Sequence, residues 1–202
     1  MEFWAGKKVL ITGHTGFKGA WLSLWLQNLG ADLVGYSLAP PTEPNLFTAA
    51  GLESGMVSIN GDVRDLSHME AVFTDHRPEI VIHMAAQSLV LQSYRDPLET
   101  YQTNIMGTVH VLEAARRCRS VKALLIVTSD KCYENREWDW PYRENEPLGG
   151  RDPYSSSKAC AELVTEAYRR SFFIGGNGSC SDPVAATARA GNVIGGGDWA
   201  PD

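Results

Sequence analysis

Apolar residues along this chain switch between two periods, and the switches mark the expected elements. Val9, Leu10 and Ile11 run on without polar interruption, as a parallel strand buried on both faces requires. Helical spacing takes over at Trp21, Leu22, Leu24, Trp25 and Leu26. Between the two, residues 7–19 (KKVLITGHTGFKG) break at Gly13, Gly16 and Gly19, which predicts a strand, a tight turn and a helix start. The helix should close near Gly30, where a left-handed cap residue belongs, with a second strand over 31–38. Residues 39–55 carry Pro40, Pro41 and Pro44 and read as an irregular surface loop. A short strand follows over 56–59, then a helix opened by a capping box from Ser67 to Glu70 and stopped by Pro78. Residues 79–84 (EIVIHM) read as a fourth strand. Residues 98–119 read as one long helix with Ile105, Val109, Leu112 and Ala115 on its apolar face and a basic last turn. A fifth strand over 121–128, a helix from about Tyr154 and a sixth strand over 183–189 complete the pattern.

This alternation of strands and helices predicts an α/β fold, a Rossmann-type doubly wound parallel sheet with the first strand central. In such a turn the first glycine permits the bend, the second lets backbone approach a pyrophosphate, and the third lets helix and strand pack. Residues 1–190 are expected to form the dinucleotide-binding unit and residues 191–202 to begin a substrate-binding part. Composition narrows the partners. Of 202 residues, 44% are hydrophobic and 21% charged, and the net charge of −6 leaves no basic footprint for nucleic acid. No apolar stretch is long enough to span a bilayer and no secretory signal opens the chain, so a cytoplasmic protein is expected. Cys118, Cys132, Cys160 and Cys180 show neither a CxxC pair nor zinc spacing, so no metal is expected and they read as structural thiols.

Further positions carry chemistry. Tyr154 and Lys158, in YSSSK, stand four residues apart on one helical face, where a fixed cation would draw the phenol below its usual value of about 10. Ser129, Asp130 and Lys131 lie at the carboxyl end of the fifth strand, the side on which an open parallel sheet holds its ligand. His83, within a buried run, reads as a hydrogen-bonded core residue. The second strand ends Gly35, Tyr36, Ser37, with neither the acid that marks NAD nor an adjacent arginine for a 2′-phosphate.

The TGxxGxxG spacing at Gly13 to Gly19, the HMAAQ strand end and YSSSK resemble the extended short-chain dehydrogenases/reductases. The stretches GHTGFKGAWLSLWLQNLGADLVGYSLAPPTEPNLF, SDKCYENREW, DPYSSSKACAELV and RAGNVIGGGDWA narrow the likeness to the CDP-glucose 4,6-dehydratases among the nucleotide-sugar dehydratases. The resemblance implies NAD as cofactor, held by Gly13, Thr15, Gly16, Phe17, Gly19, Asp62, Val63, Ala85, Ala86, Gln87, Asn104, Tyr154 and Lys158. Asp62 would receive the adenine amino group, free because the capping box starts the next helix independently. Asn104 would help hold the active-site lysine through water. Gln87, Ser129 and Asn192 would touch CDP-glucose.

The implied reaction is a hydro-lyase one. Hydride passes from C4 of the sugar to the nicotinamide as Tyr154 takes the hydroxyl proton, water leaves C5 and C6 with Asp130 as acid, and hydride returns to C6. Lys131 stands where related dTDP-glucose enzymes carry a glutamate base, and it could replace that base only if burial and the Lys158 cation lowered its pKa. Extended members pair two helices across a dimer axis, so a homodimer is expected, and the family supplies deoxysugars for bacterial surface polysaccharide such as O-antigen. Two other readings stay open: a nucleotide-sugar epimerase or reductase of the same fold, against which Asp130 argues, and a non-catalytic dinucleotide-binding fragment, since the family's substrate-binding portion lies largely beyond Asn192.

Overall fold

The computed structural model describes residues 3–173 and 183–200; Cys180 lies outside them. Its centre is strand β1 (Lys8–Thr12), paired in parallel with β2 (Asp32–Ser37) on one side and β4 (Ile80–His83) on the other. With β3 (Val57–Asn60), β5 (Ala123–Ser129) and β6 (Val184–Ala190) the sheet has six parallel strands in the order β3-β2-β1-β4-β5-β6. The expected doubly wound sheet with a central first strand is therefore observed.

Successive residues of β1 face opposite layers, which is why its run shows no polar position. Leu10 joins Val34, Val81, Leu124 and Ile126 in one core, closed by Met69 and Phe73 of α3 (Leu66–His76) and by Val111 and Leu112 of α6 (Gly107–Arg117). Val9 and Ile11 join Leu33 and Ile82 on the other face, closed by Leu26 of α1 (Phe17–Asn28). Each such fully buried aliphatic side chain stabilises the fold by about 1.5–3 kcal/mol. As expected, α1 ends before Gly30, whose φ of +79° is the left-handed conformation that favours glycine.

Three local expectations are corrected. Residues 39–55 are not wholly irregular: Asn45 caps a short helix α2 (Leu46–Ala49), a 3₁₀ turn follows (Leu52–Gly55), and Phe47 and Leu52 bury themselves against Ala20 of α1. The proline count hid this because burial of two apolar side chains outweighs weak local propensity. Helix α3 is capped not by Ser67 but by Asp65, which accepts from the His68 amide while Ser67 Oγ donates to the same carboxylate. The long helix of residues 98–119 is divided into α5 (Pro97–Tyr101), a π turn (Gln102–Met106) and α6. The wide turn shifts the helical phase, so the buried face becomes Asn104, Gly107, Thr108, Val111, Leu112 and Ala115, with Ile105 and Val109 only partly covered. Between β4 and α5 lies α4 (Val90–Arg95); α7 (Pro153–Tyr168), capped by Asp152, packs beside α6.

Candidate active site

The strand order reverses between β1 and β4, and the connections leaving their carboxyl ends pass to opposite faces of the sheet, α1 to one and α6 to the other, which is where an open parallel sheet takes its ligand, in a crevice. The turn after β1 closes one wall. Gly13 has φ +77°, and a Cβ on it would lie 2.7 Å from the Ala85 amide nitrogen; a Cβ on Gly19 would lie 2.0 Å from the Gly13 carbonyl oxygen. Gly16, the residue before α1, has only that oxygen near its Cβ direction, at 3.5 Å, so its backbone faces open space beside the helix N-terminus. Thr15 Oγ1 donates to Leu38 O (2.9 Å) and meets Ser37 Oγ at 2.8 Å, tying the turn to the end of β2. Phe17 is half-buried, and the chain after β6 returns across it: a Cβ on Gly195 would stand 3.3 Å from its ring, and Trp21 Nε1 donates to Gly196 O at 2.9 Å.

Beneath the crevice the hydrogen bonds fix one tautomer of His83. Thr108 Oγ1 donates to Asn104 O (2.7 Å), so it accepts from His83 Nε2 (3.2 Å), which leaves Nδ1 to accept from Thr12 Oγ1 at 2.7 Å. Thr12 Oγ1 in turn accepts from the Met84 and Ala85 amides. Burial, with a smaller push from Lys158, holds His83 down to about 3. It is a core histidine, as the sequence indicates.

Asn104, turned inward by the π turn, accepts from Gln87 N (2.8 Å) and donates to Gln87 O (3.0 Å) and Ser157 Oγ (2.8 Å). It reaches α7 through Ser157 directly. The Gln87 side chain is engaged with Leu89 and Thr100 Oγ1 rather than pointing free into the crevice. Asp62 is not left free either. Arg64 binds both its oxygens (Nε at 3.0 and 2.9 Å, Nη2 at 2.5 Å), and that hydrogen bonding lowers its pKa despite the opposing effect of burial. Val63 is buried beside it. Ala85 and Ala86 are half-buried, and Asn192 is exposed.

On the far wall, β5 delivers Ser129, whose hydroxyl donates to Asp130 Oδ1 (3.1 Å) and accepts from Lys131 N (3.3 Å). Tyr154 and Lys158 rise from α7 beside it, both buried. The expectation that Lys158 draws the phenol down is corrected: its Nζ lies 6.0 Å from the ring centroid, and burial raises the Tyr154 pKa, with the polar Ser129 hydroxyl opposing and Asp130 and Asp152 adding to the rise. Burial, and then the charge of Lys18, bring Lys158 down to about 8. Lys131 is exposed, so the burial its role as a base required is missing.

Lys18 was not singled out by the sequence, although it lies inside the glycine turn. Burial lowers its pKa, and among the described residues neither Lys18 nor Lys158 has an ion-pair partner. Lys18 stands in the first turn of α1, and a partly desolvated ammonium at a helix N-terminus makes a place for an anion. The glycine cradle and Lys18 fit a dinucleotide diphosphate. Among the described residues no cluster of three His, Cys, Asp or Glu could hold a metal, and no helix is long and apolar enough to cross a membrane.

A family model described as GDP-mannose 4,6 dehydratase matches residues 10–180. The chain is 57% identical over its whole length to a CDP-glucose 4,6-dehydratase of Salmonella typhimurium, of which it covers 56%. It is 30% identical to a dTDP-glucose 4,6-dehydratase of Xanthomonas campestris, the match covering 81% of this chain and 49% of that one. Among solved structures, the Thermus thermophilus UDP-glucose 4-epimerase in complex with NAD superposes with a TM-score of 0.71 at 29% identity, over 81% of this chain and 51% of that one. The chain thus spans about half the length of the curated relatives it matches.

Proposed function

The chain belongs to the GDP-mannose 4,6 dehydratase family, and from that premise we propose that it serves as an NAD-dependent 4,6-dehydratase acting on CDP-glucose, yielding CDP-4-keto-6-deoxyglucose and water. The observation that carries this reading is the meeting, across one crevice, of the glycine cradle with Lys18 on one wall and Ser129, Asp130, Tyr154 and Lys158 on the other. The 57% identity to a CDP-glucose enzyme favours that substrate over other nucleotide sugars.

On this reading Gly13, Gly16 and Gly19 admit the diphosphate of NAD, with Thr15 and Phe17 shaping the turn and Lys18 and Lys158 supplying charge. Asp62, Val63, Ala85, Ala86, Gln87 and Asn104 line or brace the remainder of the cofactor site. NAD, when bound, supplies the hydride acceptor. Ser129 orients the sugar hydroxyl against Tyr154, whose phenol receives its proton. Burial works against the phenolate, while the polar Ser129 hydroxyl works for it. Asp130, exposed at the mouth of the crevice, gives a proton to the departing 6-hydroxyl while its carboxylate takes up the proton that leaves C5, so that water is lost with no net change in protonation. The exposed Lys131 serves better as a cationic substrate contact than as a base. Residues 1–190 form the dinucleotide-binding unit, and residues 191–202, with Asn192, open the part that meets the sugar nucleotide.

We further assign a homodimer to the face of α4, α5 and α7, where Leu91, Tyr94, Leu98 and Leu163 stand exposed. A cytoplasmic place and a supply role for surface polysaccharide such as O-antigen follow from the same reading. The test is calorimetric titration with NAD, then incubation with NAD and CDP-glucose and alkaline ultraviolet absorbance for a 4-keto-6-deoxy sugar. An epimerised hexose formed without loss of water would overturn the dehydratase reading in favour of the epimerase. Failure to bind NAD would overturn both.

A further inference from the structure

Glu162 stands one turn beyond Lys158 on the same face of α7, so Tyr154, Lys158 and Glu162 repeat at intervals of four. It is only 5% exposed. Its carboxylate is met by donors from two different strands. Thr128 Oγ1, on β5 immediately before Ser129, donates to Oε1. Thr187 Oγ1 (2.9 Å) and Arg189 Nη2 (3.0 Å), both on β6, donate to Oε2. Arg189 extends the link, because its Nη1 donates to Glu144 O (2.8 Å) and its guanidinium lies 4.8 Å above the Tyr133 ring.

Those last contacts lie in the segment that follows Asp130 and Lys131. It folds back on the end of β5 through Glu134 N to Pro147 O and Gly149 N to Cys132 O (both 2.9 Å), and Tyr133 stacks on Tyr142 at 5.0 Å. One carboxylate therefore joins the helix bearing Tyr154 and Lys158, the strand end bearing Ser129, and, through Arg189, the segment beyond Asp130. A buried ion pair is a poor device for stability alone, since an apolar pair of equal volume does as well, but it holds its partners in one geometry when every donor and acceptor is matched.

We propose that Glu162 is a positioning residue that sets the Tyr154 phenol against Ser129, with Arg189 carrying the same constraint to residues 133–149. The inference rests on the reading of Tyr154 and Ser129 as the reacting pair. Glu162→Gln keeps the volume but turns an amide against groups that themselves donate. The expected results are amide hydrogen exchange at least tenfold faster over residues 130–149, with that of β1 and β2 unchanged, and kcat with CDP-glucose at least tenfold lower while NAD affinity changes less than threefold. Adding Arg189→Met should produce little further loss, because both residues act through one link. Thr187→Val, which removes one donor and leaves no charge unpaired, should shift exchange the same way by a smaller factor, and it serves if Glu162→Gln fails to fold. Unchanged exchange over 130–149 in both variants, additive losses in the double variant, or NAD affinity falling in step with kcat would overturn the proposal. If the wild-type protein binds NAD but forms no dehydrated sugar, the functional reading has failed, and the exchange comparison still decides the coupling.

Discussion

Replacing Gly16 and Gly19 separately by alanine should divide what the glycine turn does for the fold from what it does for the ligand. At Gly19 the new Cβ would sit 2.0 Å from the Gly13 carbonyl oxygen and 2.8 Å from the Gly13 carbonyl carbon and His14 Cα. All three are backbone atoms, so nothing can swing aside and α1 must move off the turn. Overpacking of this kind costs about 1–3 kcal/mol or more. In a domain of this size each kcal/mol lowers the melting point by about 2–4 °C, so Gly19→Ala should melt about 2–12 °C lower and bind NAD poorly. At Gly16 the Cβ would meet only the Gly13 oxygen, at an ordinary 3.5 Å, and φ −76°, ψ 167° suits alanine. The change sacrifices little beyond the capping preference, roughly 1 kcal/mol at most. Its methyl group, however, projects where a diphosphate must approach backbone, so NAD affinity should fall at least about tenfold, equivalent to about 1.4 kcal/mol. Thermal melts by circular dichroism and calorimetric NAD titration read the two effects independently. Wild-type NAD affinity in Gly16→Ala would refute the cradle assignment, and a wild-type melting point in Gly19→Ala would refute the packing argument.

Other consequences are equally direct. Tyr154→Phe should lower turnover by about 10²–10⁴ while NAD affinity stays nearly intact, because the hydroxyl acts on the sugar; near-normal turnover would remove Tyr154 from the reaction. Asp130→Asn should separate the half-reactions, so that rapid-quench sampling finds reduced dinucleotide and 4-ketoglucose accumulating; water loss at the wild-type rate would place the acid elsewhere. Acid should destabilise the fold through two buried imidazoles, His83 held at about 3 and His14 at about 4 by burial. Both values lie below the unfolded value of about 6.5, so the unfolded chain binds more protons and stability, complete above that pH, is lost as pH falls toward 4 and 3. Between pH 7.5 and 5 the loss should reach about 4 kcal/mol, roughly halved in His83→Gln, as measured by urea unfolding; the Asp62 and Glu113 carboxylates, lowered by arginine hydrogen bonds, should add little in that window. A flat profile would refute the burial argument.

Local sequence was sufficient wherever a single element carried the information. Val9, Leu10 and Ile11 required a strand covered on both faces, Gly13, Gly16 and Gly19 required a tight turn into a helix, and Tyr154 and Lys158 had to share a helical face because of the 3.6-residue period. These rest on backbone sterics and periodicity, which act over a few residues. Tertiary structure decided whatever depended on partners distant along the chain. The π turn that points Asn104 inward reads as ordinary helix, and what it finds there, Gln87 and Ser157, lies 17 and 53 positions away. The pKa of Tyr154 could not follow from its spacing to Lys158, because burial acts on both groups and is set by the whole packed crevice. Glu162 stood in plain view at the next interval of four, yet only the pairing of β5 with β6 brings Thr128, Thr187 and Arg189 to its carboxylate. Spacing reports which side chains share a face; the charge state and hydrogen bonds of that face belong to the elements packed against it.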